Sequence, residues 1–234
     1  MPLPKIELPL FETTIPSTEQ KIRYRPFTVK EEKNLLIAQE SQDYDQMVLS
    51  IQQLLTNCIA DDVDVEKLAL FDLEYLMLQI RARSVNNVIE FRIKDPVTGD
   101  PVDLEMDIDK LEVEFPEVDR RKIRINDDYI INMRYPTIKE MYLIKDIQDN
   151  AVEKLFDMMI SCIENVVNQD QIYTLSEFSD KEVMEFVDDL PNSAIEKIKL
   201  FFERMPSVTY MAEWKTEEGE ERSVKLEGLD NFFS

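Results

Sequence analysis

The residues that could do chemistry in this chain are its carboxylates. Asp103, Glu105, Asp107 and Asp109 alternate and so share one face of an extended strand, while Asp61, Asp62 and Asp64 crowd a short turn. Grouped carboxylates can gather Mg²⁺ or Ca²⁺. The turn cluster lacks the glycine and the spaced glutamate of a calcium loop, and alternating acids are the usual composition of a solvated strand face. We therefore assign no metal ligands. Histidine is absent from all 234 residues, which removes catalytic triads, histidine metal sites and the commonest general base at neutral pH. Three glycines, at 99, 219 and 228, are too few to build a phosphate loop, and no CxxC exists for a zinc ribbon. The expectation is a chain with no catalytic, cofactor-binding or metal residues, and so not an enzyme.

The remaining candidates point to contacts with other proteins. Arg81 and Arg83 close a predicted helix, where cations complement the helix dipole without a ligand; they are expected to hold the two halves together or to meet an acidic partner, in preference to binding an anion. Arg120, Arg121, Lys122 and Arg124 form a second basic group. Phe232 and Phe233 end the sequence, and two adjacent phenylalanines there either fold back onto the chain or anchor a partner. Cys58 and Cys162 sit in apolar helical runs with no cation at helical spacing, so they read as buried thiols; the count excludes a disulfide framework. The net charge of −22, from 49 acids against 27 bases, repels nucleic acid and anionic membranes and favours basic partner surfaces. No apolar run reaches the roughly 18–20 residues of a membrane span, and the opening Met1-Pro2-Leu3-Pro4 is not a signal peptide, so a cytosolic setting is expected.

The elements that must hold these residues are written twice. Tyr24-Arg25-Pro26-Phe27-Thr28-Val29-Lys30-Glu31 returns as Met133-Arg134-Tyr135-Pro136-Thr137-Ile138-Lys139-Glu140, with Thr28 and Thr137 109 positions apart. Leu54-Leu55-Thr56-Asn57-Cys58-Ile59 returns as Met158-Met159-Ile160-Ser161-Cys162-Ile163, and an acidic turn around Gly99 is matched by one around Gly219. Repeats set the architecture before any local detail. Thr28 with Glu31, and Thr137 with Glu140, are capping boxes that start helices. Helices are expected to Glu40, over 43–59 and 65–81, then 137–147, 149–166, 179–190 and 193–204, the last without a counterpart. Lys5–Leu10 reads as extended, either an edge strand or a docking arm, and Lys21–Arg25 as a strand, with another near Tyr129–Met133. Hairpins are expected at 88–93 with 102–108, and at 208–214 with 223–226, with a further strand near 111–115.

The fold expected is α+β: two related units, each of about three helices beside a small antiparallel hairpin sheet, produced by internal duplication. The division reads as an N-terminal arm over 1–19, a first unit over 20–116, a boundary segment over 117–128 and a second unit over 129–234.

One series resembles a known family. Tyr24-Arg25-Pro26-Phe27-Thr28-Val29-Lys30-Glu31-Glu32, then Asn57-Cys58-Ile59, Phe71-Asp72-Leu73-Glu74-Tyr75-Leu76 and Leu78-Gln79-Ile80-Arg81-Ala82-Arg83-Ser84-Val85, is similar in order and spacing to the baseplate hub assembly proteins of T4-like contractile-tailed bacteriophages. The match covers roughly the N-terminal half; the second half fits through its acidic hairpin and its Gly228-to-Phe233 ending. Relatives with cysteine pairs in these hairpin turns have no counterpart here, where the first turn reads Asp95-Pro96 and Gly99-Asp100. The resemblance implies a chaperone-like, non-enzymatic factor for building the central hub of a tail baseplate. Its partners would be other phage tail and hub proteins, met in the host cell cytoplasm during assembly. A permanent place in the virion baseplate is the alternative, and an acidic mimic of nucleic acid a weaker one. The oligomeric state is left open.

Overall fold

The computed structural model describes residues 6–140, 151–216 and 219–227. In chain order its main elements are β1 (Phe11–Thr14), β2 (Lys21–Tyr24), α1 (Val29–Ser41), α2 (Tyr44–Cys58), α3 (Leu70–Ser84), β3 (Val88–Lys94), β4 (Pro101–Asp107), β5 (Glu112–Glu114), β6 (Lys122–Arg124) and β7 (Tyr129–Met133). There follow α4 (Ala151–Ser161), β8 (Ile163–Asn168), β9 (Gln171–Thr174), α5 (Asp180–Asp188), α6 (Asn192–Glu203), β10 (Ser207–Lys215) and β11 (Glu221–Glu227). The architecture is α+β with small antiparallel sheets. It divides into two compact units, Met1–Glu114 with Ser207–Ser234, and Phe115–Pro206.

In the first unit β1 pairs with β2, so the strand lies at 11–14; residues 6–10, expected to be extended, carry no regular element. α1 begins where the capping box places it: Glu31 accepts from the Thr28 backbone N–H at 2.7 Å and from its hydroxyl. α2 begins at Asp43, whose carboxylate accepts from the N–H groups of Asp45 and Gln46, and it buries Val48, Leu54, Leu55 and Cys58. α3 starts at Leu70, because Val65–Lys67 forms a separate 3-10 turn. It buries Phe71, Asp72, Leu73, Leu76, Leu78, Gln79, Ile80 and Ala82, nearly its whole circumference, as a central helix must. Its Leu78 and Ala82 join Ile89, Met106, Ile108 and Leu111 with Val208, Ala212 and Leu226 in one core.

That core explains why the chain returns. β10 pairs on one side with β11 and on the other with β5, with Val208 opposite Val113. The C-terminal hairpin, expected in the second unit, therefore completes the sheet of the first. Each hairpin turns through a glycine with positive φ, Gly99 at 79° and Gly219 at 85°, a conformation that side-chain-bearing residues resist.

The second unit is a meander, β6-β7-β8-β9, with helices over one face. Ile123, Ile131 and Val166 come from three adjacent strands and pack with Met159, Cys162, Val187, Ile198 and Phe201. Two expectations are corrected here. Residues 149–166 do not form one helix: α4 stops at Ser161, and Ile163-Glu164-Asn165-Val166-Val167-Asn168 is strand β8, bonded to β7 and β9 on either side. Its three β-branched residues and two asparagines are weak helix formers, and pairing on both edges decides the matter. The stretch 117–128, expected as a boundary, supplies β6, whose Ile123 sits opposite Ile131. The helix expected over 137–147 begins with a helical turn at 138–140, and the rest of it lies outside the described residues.

The repeated motif adopts one geometry in both places. The Arg25 N–H donates to the Cys58 carbonyl at 2.9 Å, and the Arg134 N–H to the Cys162 carbonyl at 2.8 Å. Arg25 Nη2 donates to Glu31 and Arg134 Nη2 to Glu140, each at 2.8 Å. The Thr28 and Thr137 N–H groups each reach the same glutamate at 2.7 Å. Both cysteines are free and buried, and burial pushes the Cys58 thiol up to about 11 and the Cys162 thiol up to about 12.

Candidate partner interface

The acidic strand face dissolves into local pairs. Asp103 binds Arg92 Nε at 2.5 Å, Asp109 binds Arg83 Nη2 at 3.0 Å, and Asp107 accepts from the Asp109 N–H. In the turn cluster Asp61 holds Arg23 at 2.6 Å and Asp64 holds Lys67 at 2.9 Å. Among the described residues no group of three or more acids and cysteines converges as a metal cage.

Arg81 and Arg83 stand at the end of α3 but in different surroundings. Arg83 is half-exposed, paired with Asp109, and lies 5.4 Å from the Phe11 ring centroid. Arg81 is partly buried, its Nη1 is fully covered and has no hydrogen-bond partner among the described residues, and burial pulls its pKa below the ordinary value. Phe232 and Phe233 lie outside the described residues.

The second unit holds a surface that sequence reading missed. Tyr173 of β9, Leu175 and Phe178 in the turn after it, and Val183 and Phe186 of α5 line a cavity of about 310 Å³ with Tyr129 and Val166. A second cavity, of about 750 Å³, shares Leu175, Phe178 and Val183 and continues to Ile160 of α4 and Ile163 of β8. The two cavities adjoin at Leu175, Phe178 and Val183 and are together called the groove below. Met184 is 51% and Phe178 41% exposed beside it, and Ile172 on β9 is 67% exposed. The charged groups lining it are Asp157, Glu164, Asp180 and Glu182 against Arg134, and Arg134 is already held by Glu140. From 163 to 190 the chain carries eight acids and one lysine. The apolar residues alone read as core; the signal that could have separated them is this density of acids with almost no base.

Such a surface suits protein contacts. No helix among the described residues is long and apolar enough to cross a membrane. Comparison with curated proteins and with solved structures returns no significant match. A protein-family model does match, over residues 8–234, described as T4 bacteriophage base plate protein. That match takes in both units and both copies of the Arg-x-x-Thr-x-x-Glu motif, and the chain therefore belongs to the T4 bacteriophage base plate protein family.

Proposed function

We propose that this baseplate protein acts as a non-enzymatic assembly factor, promoting formation of the central hub of a contractile phage tail through contacts with other tail proteins. The observation that carries this reading is the acid-lined apolar groove of the second unit. Family membership supplies the setting. An acidic body covers basic or sticky surfaces of a hub protein in the host cytoplasm until the proper neighbour arrives. Arg81, Arg83, Phe232 and Phe233 remain proposed contacts. The matched Arg25–Glu31–Cys58 and Arg134–Glu140–Cys162 geometries support a duplicated origin for the two halves.

A permanent subunit of the virion baseplate is the second reading, favoured by the family's own description. A tagged pull-down from infected cells, read by mass spectrometry beside a protein inventory of purified virions, separates the two. Hub and tail proteins in the pull-down with no trace of the chain in virions support the assembly factor. Recovery in both makes it a subunit. Host DNA-binding proteins in place of tail proteins would overturn both readings and favour an acidic mimic.

A further inference from the structure

We propose that the groove of the second unit, together with the free edge of β9, receives an extended, basic segment of a partner protein that adds to the sheet as a fifth strand. The proposal rests on the protein-contact reading above and names the chemistry of what is bound.

Three observations carry it. The first is the edge. Among the described residues β9 pairs with β8 alone and ends the sheet. Exposed edges are ordinarily guarded by lysine, proline, a bulge or a covering element. Gln171-Ile172-Tyr173-Thr174 contains no charge and no proline, pairs in regular register from Asn165↔Thr174 to Asn168↔Gln171, and leaves Ile172 67% exposed. A strand laid beside it would pair its backbone and place alternate side chains on opposite faces, one beside Tyr173 and the next beside Ile172. The second is the groove. It opens beside Tyr173 and is floored by Leu175, Phe178 and Val183, giving the apolar side chains of one face a place to be buried. The third is charge. Eight acids and one lysine between 163 and 190 attract a basic segment and repel an acidic one. A second copy of this chain would bring the same acids to the same edge, so self-pairing is disfavoured.

The test uses the full chain and two labelled heptapeptides, Lys-Val-Lys-Phe-Lys-Val-Lys and Glu-Val-Glu-Phe-Glu-Val-Glu, followed by fluorescence anisotropy. The basic peptide should bind at least about tenfold more tightly than the acidic one and weaken as salt is raised. Ile172→Lys, at a largely exposed position, should weaken it by a further factor of about ten while leaving the circular dichroism and thermal transition unchanged. Phe178→Ser should do the same from the groove side. Equal binding of the two peptides, binding of neither, or indifference to both substitutions overturns the proposal. So does a dimer in sedimentation that Ile172→Lys dissolves, because a second copy would then occupy the edge. The pull-down repeated with Ile172→Lys keeps the two readings apart. Baseplate proteins captured undiminished by that variant overturn the groove alone and leave the assembly role standing; their loss together with peptide binding supports the groove.

Discussion

Arg222 Nη1 lies 2.5 Å from Asp95 Oδ2, joining strand β11 to the turn of the first hairpin 127 residues earlier in the chain. The pair is well covered, with side chains 16% and 4% exposed. Burial works to raise the Asp95 pKa, but the Val97 and Thr98 N–H groups and the Arg222 guanidinium outweigh it and hold the carboxyl below its usual range. Two hairpins that sequence places in different halves are thus latched together inside one unit.

Arg222→Ala should leave that carboxylate covered and without its cation, which costs more than losing an exposed pair. The melting temperature is expected to fall by several degrees, and amide exchange across β10 and β11 to rise before that of α3. Asp95→Asn in the same chain should recover part of the loss. Unchanged exchange in the C-terminal hairpin would mean that its pairing with β5 suffices without the latch.

Acid should loosen the repeated motif. Burial raises the Glu31 pKa, yet hydrogen bonds from Arg25 and from the Thr28 hydroxyl and N–H lower it further, from its ordinary 4.5 to about 2. Glu140 is lowered for the same reasons, against its own burial, by Arg134 and the Thr137 N–H. Because the folded values lie below the unfolded ones, this stability is fully present above about pH 4.5 and is lost as the pH falls towards about 2. Glu31→Gln should cost about 2 kcal/mol at neutral pH, with the difference from the parent closing as the pH falls. Melting temperatures across this range check it; a gap that persists at the acid end would place the effect of the substitution in packing and not in charge.

What could be read from sequence follows the range of the interactions. The capping boxes at Thr28 and Thr137 and the glycine turns at 99 and 219 are local, set by residues three or four apart, and they stand where they were expected. β8 was missed because the run from Met158 to Ile163 is apolar enough to continue a helix, and only its partners Ile131 and Tyr173 make Val166 a strand residue. The return of β10 to β5 depends on Val208 meeting Val113, a pairing across 95 residues that no local pattern announces. The groove was hidden for a different reason: Tyr173, Phe178 and Val183 have the composition of a core, and only exposure separates an interface from an interior.

The last two aromatic residues give a separate test of the contact reading. Removing Phe232 and Phe233 should weaken capture of tail proteins while leaving the thermal transition nearly unchanged. A large loss of stability would instead assign them to the chain's own core.

Arg81 offers the sharpest distinction between a contact and a structural residue. Its covered Nη1 has no hydrogen-bond partner among the described residues, and burial is the cause of its lowered pKa. A covered donor left unpaired costs stability, and a carboxylate on another protein reaches this one only if the side chain swings out of its cover. Methionine is shorter, packs along the path of the arginine stem and carries no charge. Arg81→Met should therefore leave the isolated chain as stable or more stable, by about 1 kcal/mol, while lowering recovery of tail proteins in the pull-down. Arg83→Met makes the control: Arg83 already has Asp109 and the Phe11 ring, so its loss should lower stability slightly. A drop in melting temperature for Arg81→Met with full recovery of partners would show that the guanidinium serves the fold of α3 and not an interface.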